Sequence, residues 1–187
     1  LEEDIKQAVE VLRKGGVILY PTDTVWGIGC DATNSEAVRR VYGIKQRADS
    51  KAMLVLIDTT AKLDYYVDEL PDIALDLIEV DDKPLTIIYS GARNVAPELI
   101  AADGTLGIRV TREAFSQQLC RQLKSPLVST SANISGQPTP ANFSEIAPEI
   151  KSAVDFVVKY RQSDKQKSIP SSIIQLGRGG LVKVVRA

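Results

Sequence analysis

The sequence predicts a single α/β domain, a twisted mixed sheet with flanking helices, on three observations. Short apolar runs bounded by glycine, proline or polar clusters alternate with stretches of helical apolar spacing along the whole chain. No segment repeats and none is of low complexity. The 187 residues, 44% of them hydrophobic, suffice for one substantial core. Strands and helices interleaved in this way bury both faces of a sheet against helices.

The elements follow in order. Glu2 to Lys14 carries Ile5, Ala8, Val9 and Leu12 at helical spacing, and Gly15-Gly16 ends the helix. Val17-Ile18-Leu19-Tyr20 is a short buried strand stopped by Pro21, and Thr22 to Gly29 is polar, then small. Thr33-Asn34-Ser35-Glu36 has the capping-box pattern, with Thr33 at N-cap and Glu36 at N3. It opens a helix carrying Ala37, Val38, Val41 and Ile44, and Met53–Ile57 is the next strand. Ile73–Val80 is a helix, Leu85–Tyr89 and Leu106–Val110 are strands, and Arg112–Leu123 is an amphipathic helix. Pro126-Leu127-Val128 is a short strand running into a Ser/Asn loop. Phe143–Ile150 is a short helix and Val154–Val158 a strand. Ile173–Leu176 and Leu181–Val185 form a last pair around Gly177-Arg178-Gly179-Gly180. The polar, Lys-rich stretch Gln162–Ser168 is the best candidate for a mobile loop.

Composition excludes several functions. Lys+Arg number 23 against 24 Asp+Glu, a net charge of -1, whereas a chain that lies along nucleic acid is usually much more basic. A local basic pocket remains compatible with that balance. Cys30 and Cys120 lie far apart without ligand spacing and read as buried hydrophobes in a reducing compartment, so a cytoplasmic location is expected. No apolar run approaches the length that spans a membrane. Leu1 is no initiator, so the native start is expected to be missing or processed. The chain has no histidine, which removes the usual near-neutral base, the Ser-His-Asp and Cys-His systems and most zinc sites. Chemistry here must run on charge, positioning and a borrowed Mg2+, with no metal held by the protein itself.

Lys45-Gln46-Arg47-Ala48-Asp49-Ser50-Lys51 puts three cations within seven residues. Such a run is either a solvated face or a phosphate site, where an arginine fork takes two oxygens and lysines add point charge. Far downstream, Ser129-Thr130-Ser131-Ala132-Asn133 is either a turn cluster or a set of small hydrogen-bonding groups at the end of a strand, where α/β sheets bind ligands. Arg109 lies between Ile108 and Val110, so it is either on an exposed face or paired with an anion. Pro21-Thr22-Asp23-Thr24-Val25-Trp26-Gly27 is either a turn or a pocket wall with Trp26 as an apolar lid. Gly27-Ile28-Gly29-Cys30-Asp31-Ala32 matches a dinucleotide fingerprint, but the capping box starts the helix beyond it. Those glycines serve better to let backbone pass close to a neighbouring strand or ligand.

Four motifs in order resemble the YrdC family, whose members include threonylcarbamoyl-AMP synthases acting in formation of the t6A base of tRNA. They are Tyr20-Pro21-Thr22-Asp23-Thr24-Val25-Trp26-Gly27, Lys45-x-Arg47-x-x-x-Lys51, Gly107-Ile108-Arg109-Val110, and Ser129-Thr130-Ser131-Ala132-Asn133-x-Ser135-Gly136. The resemblance covers nearly the whole chain, and the length suits the short, single-domain form spanning 1–187. It departs at Ala48, at Ala52-Met53 and at Asp81-Asp82-Lys83-Pro84, which marks a divergent branch.

The resemblance implies a large open cavity and a reaction joining L-threonine, bicarbonate (or CO2) and ATP into threonylcarbamoyl-AMP and pyrophosphate, a nucleotidyltransferase activity. Carried over residue by residue, it puts Arg47 and Lys51 on the ATP phosphates with Lys45 beside them. Ser131, Asn133, Thr105, Thr139 and Arg186 go to the nucleotide side. Thr24, Arg109 and Ser171 go to threonine, with Arg109 on its carboxylate. Mg2+ is expected to arrive on ATP, and separate proteins are expected to pass the threonylcarbamoyl group to tRNA. A carbamate is already an anionic oxygen nucleophile, so its attack on the α-phosphate requires positioning and charge rather than a side-chain base. The competing expectation is a non-catalytic module of the same fold that binds RNA, weakly, or a nucleotide in the same pocket.

Overall fold

The computed structural model describes residues 1–46, 53–165 and 167–187. The cation segment from Arg47 to Ala52, with Arg47 and Lys51, lies outside the described residues, as does Gln166 of the expected mobile loop. The remaining ends of that loop are tied down. Gln162 donates through Nε2 to Val158 O (2.8 Å), and Ser168 N donates to Ala141 O (3.1 Å).

The chain runs α1 (Glu2–Arg13), β1 (Ile18–Tyr20), β2 (Gly27–Gly29), α2 (Ser35–Lys45), β3 (Leu54–Ile57), α3 (Leu63–Tyr66) and α4 (Ile73–Val80). It continues with β4 (Leu85–Tyr89), β5 (Leu106–Val110), α5 (Ala114–Leu123), β6 (Leu127–Ser131), α6 (Pro148–Ala153), β7 (Phe156–Val157), β8 (Ser172–Leu176) and β9 (Val182–Arg186). The described residues form one nine-stranded sheet in the order β7-β1-β2-β6-β3-β5-β4-β8-β9. It is mixed: β1/β7, β3/β5 and β4/β8 are parallel and the other neighbours antiparallel. Helices α1 and α5 pack against each other, α1 over β1 and α5 over β3. Their buried faces carry the periodic apolar residues, Ile5, Ala8, Val9 and Leu12 on α1 and Phe115, Leu119 and Leu123 on α5.

Four local readings are corrected. The N-cap of α2 is Asn34, one residue later than expected: it is extended (φ -102°, ψ 103°) and its side chain accepts from Ala37 N at 3.1 Å. Thr33 turns back instead, its N–H and hydroxyl both donating to Asp31 Oδ1. The segment expected as one helix over Phe143–Ile150 is a 3-10 turn (Phe143–Glu145) followed by α6, because Ala147 precedes a proline and stays extended (ψ 141°) while Pro148 takes the first helical position. Ser129, Thr130 and Ser131 belong to strand β6 rather than to a loop. Helix α5 starts at Ala114, not Arg112, because Glu113 is its cap, its carboxylate accepting from Phe115 N and Ser116 N.

The Gly27-Ile28-Gly29 motif is strand β2, flanked by β1 and β6. The glycines serve close approach, as the sequence suggested. Tyr20 is fully buried, and its hydroxyl donates to Val128 O (2.9 Å) across β2. A Cβ on Gly29 would lie 2.4 Å from Val128 O and 2.6 Å from the Tyr20 ring. Neither neighbour is free to move, one being backbone and the other enclosed. Gly29→Ala is therefore expected to destabilise the fold by about 1–3 kcal/mol, the usual cost of overpacking. Denaturant unfolding of the variant checks it, and an unchanged midpoint would refute the close-approach account.

Candidate active site

Sheet register builds the site. Arg109 on β5 stands opposite Thr86 on β4, and Thr86 stands opposite Ile173 on β8. Ser171, the residue before β8, thereby reaches the same spot, and its hydroxyl shares a 2.7 Å hydrogen bond with Thr86 Oγ1. On the other side, Gly27 stands opposite Ser131. That pairing brings the 22–26 loop alongside β6. Within the loop, the Thr22 hydroxyl donates to Val25 O (2.7 Å) and accepts from Thr24 N (3.0 Å), which fixes the turn.

Arg109 is 2% exposed. Its Nε donates to Asp23 Oδ1 at 2.9 Å, and its Nη2 to Thr24 Oγ1 at 3.2 Å. Longer contacts run from Nη1 to Thr86 Oγ1 (3.4 Å) and Ser171 Oγ (3.5 Å). Of the alternatives open in the sequence, the structure selects pairing with an anion, and that anion is Asp23. Burial pushes the Asp23 carboxyl above the usual carboxylate range, against the opposing pull of Arg109. With Nε committed to Asp23, the terminal edge of the guanidinium keeps only long or neutral partners. A bidentate carboxylate fits that edge.

Thr24, Arg109, Ser131, Thr139, Ser171 and Arg186 line one cavity of about 230 Å3. Arg186 closes it from the edge strand, its Nε donating to Ser171 O (2.8 Å). Thr105 lines an adjoining cavity of about 200 Å3 that shares Met53, Leu54 and Ile173 with the first, and its hydroxyl donates to Asp103 (2.6 Å). Lys45, the last residue of α2, is buried. Its ammonium donates to Ser131 O (2.6 Å), Ser131 Oγ (3.2 Å) and Asn133 Oδ1 (3.3 Å). Asn133 in turn donates through Nδ2 to Ile134 O and Gln137 O. The lysine and the Ser/Asn segment, 86 residues apart, thus form one unit with a positive charge directly behind Ser131.

Two participants were not singled out in the sequence as site residues. Asp23 was visible only as part of a polar turn. Thr86 carried the same signal as Arg109, a polar residue inside an apolar strand, but a threonine in a strand is ordinary. Of the two readings open for the Pro21–Gly27 segment, the lid role for Trp26 falls away: Trp26 is core, 6% exposed and packed on Phe143 with ring centroids 4.8 Å apart. Among the described residues no group of three or more His, Cys, Asp or Glu side chains is arranged to hold a metal ion.

The model of the Sua5/YciO/YrdC family, which carries the description "Telomere recombination", matches residues 10–187. The chain belongs to this family. Among curated relatives, a "Threonylcarbamoyl-AMP synthase" of Vibrio cholerae serotype O1 is 36% identical over 88% of this chain and 89% of its own length. One of Thiobacillus denitrificans is 37% identical over 94% and 91%. Among solved structures, E. coli YciO superposes with a TM-score of 0.85 at 28% identity, covering all of this chain and 89% of its own. P. abyssi Sua5, in a structure complexed with L-threonine, superposes at 0.83 and 23% identity, a likeness of fold. This Sua5/YciO/YrdC chain spans about half the length of that Sua5 (52%). No helix among the described residues is long and apolar enough to cross a membrane.

Removing Arg109 would strand the Asp23 charge in a buried place. Arg109→Met is expected to cost about 3–5 kcal/mol at neutral pH, the range for breaking a buried pair by one partner. Without the guanidinium the folded-state pKa of Asp23 rises further above its unfolded value. The folded state then binds more protons than the unfolded state between those two values, so the penalty shrinks as pH falls through that window. Unfolding midpoints at pH 7 and pH 5 check this, and Arg109→Met combined with Asp23→Asn should recover most of the loss at pH 7.

Proposed function

We propose that this protein is a threonylcarbamoyl-AMP synthase, forming threonylcarbamoyl-AMP and pyrophosphate from L-threonine, bicarbonate (or CO2) and ATP for the t6A modification of tRNA. The observation that carries the reading is the 230 Å3 cavity lined by both Arg109 with its hydroxyl partners and Ser131 with Lys45 behind it. It lies in a chain 31–38% identical to several proteins named for that activity.

The reaction asks for two anions to be held together, and the site divides that work. The terminal edge of Arg109, whose partners are long or neutral, takes the amino acid's carboxylate, while Thr24 and Ser171 supply hydroxyls around it. The unit of Lys45, Ser131 and Asn133 holds the nucleotide side, with Thr139 and Arg186 lining the same cavity and Thr105 the adjoining one. Arg47 and Lys51 supply the charge that meets the triphosphate and the departing pyrophosphate. ATP enters as its Mg2+ complex, whose ion is held by phosphate oxygens and requires no protein cage. The carbamate oxygen attacks the α-phosphorus and pyrophosphate leaves, a nucleotidyl transfer in which geometry and charge replace a side-chain base. The product passes to separate proteins that carry the group to tRNA, and a cytoplasmic location is supported by the two free, buried cysteines Cys30 and Cys120. The alternative of an RNA-binding module is not favoured: the net charge is -1, and a buried arginine ringed by hydroxyls suits a small carboxylate better than a polymer backbone.

Pyrophosphate release that requires threonine and bicarbonate together is the deciding test. Release independent of threonine, or none with all three substrates, would overturn the reading. Arg109→Lys, which keeps the charge but loses the fork, is expected to raise the KM for threonine about tenfold or more while leaving the KM for ATP within about twofold. Arg47→Ala is expected to lower kcat by about 10²-fold with the fold intact.

A further inference from the structure

Thr24 and Ser171 both line the cavity beside the terminal edge of Arg109. A hydroxyl has one proton, and only that proton can serve an anion. The Thr24 proton is already committed. Thr22 gives its own proton to Val25 O (2.7 Å), so across the 3.2 Å contact between the two threonines Thr22 accepts and Thr24 donates. Of the two hydroxyls, Ser171 is the one left to donate to a carboxylate on Arg109, and it does so only with its proton turned into the cavity.

We propose that Thr86 is the positioning residue that sets this direction: it donates to Ser171 Oγ and thereby leaves the Ser171 proton free for the substrate's carboxylate. This rests on the synthase reading above.

The two oxygens lie 2.7 Å apart, so one proton sits between them. Among the described residues their only other partner is Arg109 Nη1, 3.4 Å from Thr86 Oγ1 and 3.5 Å from Ser171 Oγ, and a guanidinium donates without accepting. Each hydroxyl therefore has the other as its one acceptor there. Thr86 is 2% exposed and does not line the cavity that Arg109 and Ser171 share. It meets the adjoining cavity with its methyl: a Cβ built on Gly107, which lines that cavity, would lie 3.3 Å from Thr86 Cγ2. If Ser171 donated, the Thr86 proton would be enclosed without an acceptor, which carries the full cost of its desolvation. With Thr86 as donor both protons are placed, one on Ser171 Oγ and the other facing the cavity that Ser171 lines.

Both side chains are held for this arrangement. Thr86, β-branched and stiff at χ1, lies on β4 between β5 and β8. Ser171 is fixed through its backbone: Arg186 Nε donates to its carbonyl (2.8 Å), and the next residue, Ser172, donates through N to Pro84 O (3.2 Å). Only the rotation of the Ser171 hydroxyl remains to be set. When a carboxylate arrives, a chain of hydrogen bonds runs from Thr86 through Ser171 to the anion, and each bond polarises the next.

Thr86→Val keeps the branched shape and removes the donor. Its KM for threonine is expected to rise about three- to tenfold, the worth of one neutral hydrogen bond, with kcat and the KM for ATP within about twofold of wild type. Thr86→Ser restores the hydroxyl and should return the KM to within about twofold. Added to Ser171→Ala, Thr86→Val should change the KM for threonine by less than about twofold, because Thr86 acts through Ser171. An unchanged KM in Thr86→Val, even with a lowered unfolding midpoint, marks a merely structural threonine and would overturn the proposal. So would a serine variant as impaired as the valine, or additive losses in the double variant. Calorimetric titration of L-threonine into the same proteins without ATP should give the same order of affinities, apart from turnover. If the wild type binds threonine but releases no pyrophosphate with all three substrates, the synthase reading fails, and the titration still decides the role of Thr86. A wild type that binds no threonine overturns both.

Discussion

A guanidinium buried within a nine-stranded sheet has to be answered on every side, and the answers organise this molecule. Arg109 draws Asp23 and Thr24 from the loop after β1, Thr86 from β4 and Ser171 from the approach to β8. Those four residues come from three regions far apart in sequence. They meet only if strands β4, β5 and β8 are in register and the 22–26 loop lies where the Gly27–Ser131 pairing puts it. A slip of one residue in β5 would turn Arg109 to the opposite face and leave Asp23 without its cation. The cost of burying this charge therefore enforces the register that creates the cavity.

Lys45 plays the matching part on the nucleotide side. A lysine at the end of a helix would ordinarily extend into water and favour the helix C-terminus. Here it turns inward and gives its protons to Ser131 and Asn133, so the end of α2 and the end of β6 are joined through one ammonium group. Asn133 uses both ends of its amide, accepting from Lys45 and donating to two carbonyls of the following turn. Its role is thus as much to shape the turn as to meet a ligand. Both halves of the site follow one rule: a buried cation recruits neutral or anionic oxygens from distant segments and leaves a defined polar surface toward the cavity.

Much of this was legible in the chain. Mostly apolar strands bounded by turn residues, such as Leu85–Tyr89 and Leu106–Val110, and the helix Ile73–Val80 are read to the residue, because period and boundary residues agree there. The misread places share one cause, competition between local patterns. Thr33 and Asn34 are both good caps, and the choice falls to Asn34 once Asp31 captures Thr33. Ser129-Thr130-Ser131 looks like a loop by polarity, yet it is a strand because Gly27, Ile28 and Leu54 offer it partners on both sides. Strand β2 was invisible because glycine has poor strand propensity, and only the crossing of Tyr20 over it explains why glycine is there. The site motifs were legible as candidates. That Lys45 belongs with Ser131 and Asn133, and Arg109 with Asp23 and Thr86, depends on topology, which no spacing along the chain encodes.

The sheet order has a consequence for how this chain reaches its native state. Strand β6, at residues 127–131, is inserted between β2 and β3, which precede it by some 70 residues or more. Until β6 arrives, the pieces built around β1–β2 and around β3–β5–β4 have no strand between them, and both keep an open edge. Such edges are templates for pairing with another chain. Non-local closures of this kind also slow folding, since the loop entropy is lost before the contact forms. On the ribosome, the two part-sheets would wait side by side through the synthesis of α5, and chaperone protection is most valuable in that interval. The strand that carries Ser131 into the cavity is also the one whose late arrival joins the sheet.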